Sequence, residues 1–388
     1  MSLPLLIDNF IFPVQRCSAV RLPSPVSQQC NRQNNLTVYT PLIFNGFMLL
    51  DTYYGESRRK NENLVMDFIL LGFGNAPELQ PLLFLLFLVI YIVTVLEYIL
   101  IIMLVVVDQH LHTPVYFFLG NLTCLEISYK STILPRMLAS LLTGDGTISV
   151  KGCLVQTYFF AVIATTENLL LAAMSYNRYL AICHPLRYAA LMNGRVCFQL
   201  VAGSWVYSFL VIGTLNYSLF KLTFCGSKEI DHFFCDFSPM IKLSCVDTQT
   251  LQLATFTVST IGTLVHLLLT LTSYIYIITA ILRIPSTTGR QKAFSTCSSH
   301  LTVVTILYMS VITVYVFPGL VQQFRRTRRP KVLHKIFSLF YTVLTPMINP
   351  IIYSLRNKEV KQSLRKTILN RVDFRSRHRI LKGKFQPV

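Results

Sequence analysis

Met174-Ser175-Tyr176-Asn177-Arg178-Tyr179-Leu180-Ala181-Ile182-Cys183-His184-Pro185-Leu186-Arg187-Tyr188 closes an apolar run that begins near Cys153. Arg178 stands where that run ends. A charge at such depth costs roughly 3 kcal/mol on insertion scales and is usually kept for a task. It also fits a simpler role, snorkelling to the headgroups at a membrane boundary. Working outward, apolar runs recur near 81–107, 114–142, 153–177, 196–220, 251–282, 294–317 and 332–354. Each is long enough for one crossing helix, which needs roughly 20 residues. With 53% hydrophobic residues and a mean hydropathy of +0.52, the composition excludes an ordinary soluble domain.

Lysine and arginine set the orientation. Arg187 and Arg195 follow the third run, Arg283, Arg290 and Lys292 follow the fifth, and the tail from Arg356 to Lys384 is strongly basic. Those segments are expected to be cytoplasmic, which puts the amino terminus outside. One loop disagrees: Arg325, Arg326, Arg328, Arg329, Lys331 and Lys335 precede the seventh run on the expected outer face. The net charge of +18 lies mainly in the tail and that loop. Juxtamembrane basic clusters are contacts for anionic membrane lipids, so no nucleic-acid partner is expected.

The chain divides into three regions. Residues 1–80 form an outer amino-terminal segment, of which 1–60 is a polar, proline-bearing leader expected to be a disordered extension. No basic n-region precedes the mildly apolar Met1–Val14, so the first run is expected to act as the signal anchor. Asn35-Leu36-Thr37 is a glycosylation sequon on the outer side. Residues 81–354 are the seven-span domain, and 355–388 the cytoplasmic tail. Within the tail Val360, Leu364 and Ile368 recur at four-residue spacing among Lys361, Arg365 and Lys366. That pattern predicts a short amphipathic eighth helix along the inner leaflet.

Cys153, Cys225, Cys235 and Cys245 lie on the outer, oxidising side, where four cysteines allow three pairings. Glu97, Glu126 and Glu167 sit inside apolar runs, and intramembrane acids usually face the bundle interior and pair with something. Glu167 precedes Arg178 by eleven residues, about three turns, so both project from one helix face. Glu97 has no evident partner. Pro350 removes a backbone donor beside Asn349, which makes a plausible hinge.

The stretch Met174–Tyr188 resembles the M-A-Y-D-R-Y-V-A-I-C-H-P-L-R-Y signature of olfactory receptors of tetrapod class II type, a branch of the rhodopsin-like G-protein-coupled receptors. Further motifs resemble that family in the same order: Phe68–Phe73 (F-I-L-L-G-F), Asp231–Asp236 (D-H-F-F-C-D), Ser273-Tyr274, Lys292–Leu301 (K-A-F-S-T-C-S-S-H-L) and Pro346–Tyr353 (P-M-I-N-P-I-I-Y). Trp205 matches the tryptophan of the fourth span. The resemblance covers roughly 64–366 and implies an all-α membrane protein, a rhodopsin-like seven-transmembrane helix bundle.

It also implies the Cys153–Cys235 and Cys225–Cys245 disulfides and a sodium ion at Glu126 and Glu167. The switch and coupling set would be Asn177, Arg178, Tyr179, Tyr274, His300, Tyr308, Asn349, Pro350 and Tyr353. Thr157, Phe160, Ala161, Ala164, Thr165 and Asn168 share one helix face. By resemblance Phe160, Ala161, Ala164 and Thr165 become pocket wall with Val258, Ser259, Gly262, Val311, Ile312 and Tyr315. Such a mostly apolar cavity suits a small, apolar odorant. The implied function is an odorant receptor in the plasma membrane, acting through a stimulatory heterotrimeric G protein to raise cyclic AMP, with no catalytic residues.

Phe160 stands where an amine receptor would carry aspartate, and no lysine lies between Phe337 and Tyr353 to bind retinal. A non-olfactory chemosensory receptor is the nearest alternative. A small-solute transporter would call for internal repeats and paired broken helices, and an enzyme for a motif such as H-E-x-x-H or G-x-S-x-G; none occurs. The chain also departs from the family. Asn177 replaces an aspartate, so the restraint on Arg178 is expected to be weaker. Tyr98 replaces the asparagine of the first span, and the sequon usual just before Phe68 is missing.

Overall fold

The computed structural model describes residues 65–73, 78–224, 227–316, 335, 337–344, 360 and 362–365. The chain divides into Met1–Glu56 and Ser57–Val388; the first unit lies outside the described residues, and every described element belongs to the second. The Asn35 sequon, Cys225, the loop Arg325 to Lys331 and the Asn349, Pro350 and Tyr353 motif also lie outside them.

Helix α1 (Gln80–Val107) starts on Pro81, whose missing N–H costs nothing in a first turn. It buries Phe87, Thr94, Tyr98, Ile101 and Leu104 as one stripe and exposes Leu82, Leu85, Val89, Leu96 and Val106. A helix apolar all round belongs in hydrocarbon. Asp108 ends it by accepting a bond from the His110 N–H at 3.1 Å. Helix α2 (Pro114–Thr143) again opens on proline and stops at Gly144, whose φ of 72° is left-handed. Helix α3 (Val150–Cys183) is capped by Ser149, which accepts from the Gly152 N–H at 3.1 Å. Then come α4 (Pro185–Leu191), α5 (Gly194–Phe220), α6 (Phe237–Ile241), α7 (Gln249–Leu282) and α8 (Thr287–Val311). Helix α8 runs on into a π-helical turn, Ile312–Val316, and a second such turn, Phe340–Leu344, belongs to the last apolar run.

Helices α1, α3, α5, α7 and α8 are long and apolar enough to cross a membrane. Helix α2 is as long but carries Glu126, Lys130 and Arg136. Most of the run 332–354 lies outside the described residues, but Phe337–Leu339 are helical. Residues 360 and 362–365 are helical too, with Val360 in the core and Leu364 packed against it. Helix α3 is the hub and packs on α2, α5 and α7.

A three-stranded sheet closes one end of the bundle, and apolar periodicity did not announce it. Strand β1 (Asp67–Leu70) lies between β2 (Thr147–Ser149), antiparallel, and β3 (Glu229–Ile230), parallel. Alternation turns Phe68 and Leu70 inward, and Phe68 meets Phe224 edge-on at 5.2 Å. Gly146 allows the approach, because a Cβ there would lie 2.2 Å from the Leu70 oxygen.

Below the sheet, Cys153 and Cys235 form a disulfide, with Cα atoms 5.4 Å apart. Gln156 reinforces it by donating to the Thr132 carbonyl at 2.9 Å and accepting from the Cys235 N–H at 3.0 Å. Cys245 is disulfide-bonded as well, and its N–H donates to the Thr223 carbonyl. Lys335 donates to the Gly72 carbonyl at 2.9 Å and forms an ion pair with Asp231. One charge of the dissenting basic loop is thus tied to the lid. Asp236 caps α6 through the Phe237 N–H at 2.8 Å.

Two outcomes are expected. Cys153→Ser or Cys235→Ser forfeits about 2–5 kcal/mol, so surface staining of a tagged receptor should collapse; full staining would contradict this role. Burial pushes the Asp236 carboxyl up to about 6, partly offset by the Phe237 N–H. Its folded value thus exceeds the unfolded one, so the stability it contributes is present in acid and lost as pH rises through about 6. Asp236→Asn keeps a capping acceptor and should flatten the difference between melting temperatures at acid and neutral pH.

Candidate functional site

At the end of the bundle away from the sheet, α3, α7 and α8 converge on Arg178. Tyr274 of α7 and His300 of α8 are both buried, and the Tyr274 hydroxyl bonds His300 Nδ1 at 2.6 Å. Arg178 is close enough to act electrostatically on both and on Cys297. Among the described residues its Nε has no hydrogen-bond partner. Tyr179 bonds His184 Nε2 at 3.0 Å and packs on Tyr276 at 5.8 Å.

Asn177 turns the other way. Its Oδ1 accepts from the Tyr188 hydroxyl at 3.0 Å, which ties α3 to α4. Burial raises the Tyr188 phenol, so it stays protonated and able to donate. The signature relates Asn177 to Arg178 rather than to Tyr188. The aromatic at the end of the quoted stretch was the available signal.

Midway along the bundle runs a polar strip. Glu126 of α2 and Glu167 of α3 are buried with their carboxyls within hydrogen-bond reach. Tyr308 of α8 lies beside Thr270 of α7 and faces Glu167. Lys130 is buried one turn beyond Glu126. A lysine four residues after an acid in an apolar run was the signal for it. Its charge neighbours are Glu126 and Glu97.

Toward the sheet, Phe160 is buried between Tyr129 at 5.2 Å and Phe234 at 4.8 Å. Ala161, Ala164 and Thr165 of α3 are half-buried, as are Val258 and Gly262 of α7. Ser259, Thr263, His266 and Thr270 repeat at three and four residues and share one face of α7. The last three are buried, but Ser259 is exposed. A Cβ added at Gly262 would meet nothing within 4 Å. The packed face of α7 therefore opens as it nears the sheet. Val311 is buried and Ile312 half-buried, and the Tyr315 side chain lies outside the described residues. At the opposite end a cavity of about 690 Å³ lies between α7 and α8, lined by Ile278, Ile281, Thr287, Arg290 and Phe294.

A sequence family described as olfactory receptor matches residues 87–371. Mouse olfactory receptor 5M5 is 45% identical over 314 residues, 81% of this chain and 96% of that protein. Human olfactory receptor 6F1 is 48% identical over 306 residues, 79% of this chain and 97% of its own length. Human olfactory receptor 10A3 is 45% identical over 318 residues, 81% and 99% of the two chains. With a hub helix that carries Arg178 in its last turns, a disulfide-held lid and these relatives, the chain belongs to the olfactory receptor family, seven-span membrane receptors of the rhodopsin-like kind and not enzymes.

Proposed function

We propose that this receptor binds a small, mostly apolar odorant beneath the sheet and signals through a stimulatory heterotrimeric G protein that raises cyclic AMP. The observation that carries the reading is the contrast between the two ends of α7. Near the sheet its inward face opens at Ser259 and Gly262; at the other end Tyr274 is tied to His300 beside Arg178. One helix therefore spans both a loosely packed stretch near the sheet and the coupling junction. Ala161, Ala164 and Thr165 face Val258, Ser259 and Gly262 across the pocket, and Val311 and Ile312 extend the wall. Phe160, packed between Tyr129 and Phe234, supports that wall from behind.

In this reading the sheet end is extracellular, which suits the Cys153–Cys235 disulfide, and the Arg178 end is cytoplasmic, where Arg187, Arg195, Arg283 and Arg290 satisfy the positive-inside rule. Ligand closure draws α7 inward and lets α8 swing away. The Tyr274–His300 bond then breaks, and Arg178 and Tyr274 engage the carboxy-terminal helix of the G-protein α subunit. Asn349, Pro350 and Tyr353, the expected hinge of the last span, lie outside the described residues, and the basic tail would meet anionic lipid.

The test is an odorant panel read with a cyclic AMP reporter in transfected cells. A responding odorant should lose at least about tenfold in potency, some 1.4 kcal/mol, when Gly262→Leu fills the opening at unchanged surface level. Unaltered potency would remove α7 from the pocket. At the other end, Tyr188→Phe leaves the buried Asn177 acceptor without its donor, a loss of about 1–3 kcal/mol. Ligand-free cyclic AMP should then rise at matched surface expression, while Asn177→Asp makes the same bond charge-assisted and lowers it. An identical basal signal in both variants would contradict the restraint.

A further inference from the structure

Lys130 is 1% exposed in the middle of α2. Its ammonium is buried and has no hydrogen-bond partner among the described residues. An isolated lysine at that depth is strongly disfavoured, so its surroundings must supply negative charge. Glu126 stands one turn before it on the same helix, and Glu97 approaches from α1. The Lys130 Nζ also lies 5.8 Å from the centre of the Tyr98 ring, within cation–π range. Glu97 and Tyr98 are consecutive, and both address the same cation. Oε2 of Glu97 is itself buried with no hydrogen-bond partner among the described residues.

The acid pair beyond Lys130 bears on any metal ion placed there. Glu126 and Glu167 are both buried and interact electrostatically, so a positive charge beside them is called for. A sodium ion at Glu126 and Glu167 would duplicate a charge that Lys130 already brings. It would also enter beside an ammonium that already faces Glu126. The donor set does not fit a metal ion while Lys130 is present.

We propose that Lys130 is the resident cation of this acid cluster, held between Glu97 and Glu126 over the Tyr98 ring, so that the receptor takes no sodium there. The side chain replaces a diffusible ion by a tethered one and straps α1 to α2. This holds whatever the odorant is.

The experiment uses the full chain in detergent, melted in sodium chloride or choline chloride at about 150 mM, equal ionic strength in both. The wild type should melt at the same temperature in both salts; a higher melting temperature in sodium would overturn the proposal. Lys130→Gln should melt lower in choline and recover about 2–4 °C in sodium, because the vacated acids then accept the ion. A Lys130→Gln protein indifferent to sodium would overturn it too. Lys130→Arg keeps a cation and should stay indifferent. If Lys130→Gln does not fold, Glu97→Gln combined with Lys130→Gln removes both charges of the strap. Removing a whole ion pair is tolerated far better than removing one partner. That double variant should reach the surface more fully and respond to sodium, and surface levels no better than those of Lys130→Gln would refute the Glu97–Lys130 pairing.

Discussion

Within hydrocarbon a hydroxyl or amide has no water to turn to, and each buried polar group must find its partner in the protein. Many of the buried hydroxyls of this chain meet the constraint within their own helix. Thr94, Thr123, Thr132, Thr157, Thr166, Ser175, Ser204, Ser208 and Ser273 each donate to the carbonyl four residues back. Such back-bonding leaves the helix surfaces effectively apolar. Packing then draws on shape, and α3, flanked by α2, α5 and α7, becomes the centre. Other polar groups link one helix to another. Gln156 joins α2 and α3 to the lid, Asn177 joins α3 to α4, and Tyr274 joins α7 to α8.

The apolar runs made the bundle legible, because length alone distinguishes a crossing helix from a buried one. Helix α2 was visible by length although its charges lower its hydropathy. The sheet was not, because strands of two to four residues carry too little alternation to register. Its members also come from three distant segments, and only the folded chain brings Asp67–Leu70 beside Thr147–Ser149 and Glu229–Ile230. Four outer cysteines left the pairing open; the bridge from Cys153 to Cys235 follows from the loop lying across the start of α3.

The candidate site was legible at its charged end and less so under the lid. Tyr274, His300 and Arg178 come together from three helices, in line with motif order. Phe160 is packed against aromatic neighbours rather than facing open space. Periodicity identifies a face but not whether its neighbour stands off from it, so the opening at Ser259 could not be read from the stripe it shares with Thr263, His266 and Thr270.

Glu97 and Tyr98 show why single substitutions mislead when read one at a time. Alone, an acid in the first span is an orphan, and a tyrosine in place of asparagine is a lost hydrogen bond. Set against Lys130 on the facing helix, the two become an acid that acts electrostatically on one ammonium and an aromatic ring 5.8 Å from it. A charge buried in hydrocarbon persists only when its compensation lies within reach. Each of the three residues therefore accounts for the other two, and the departure belongs to the helix interface rather than to any one position.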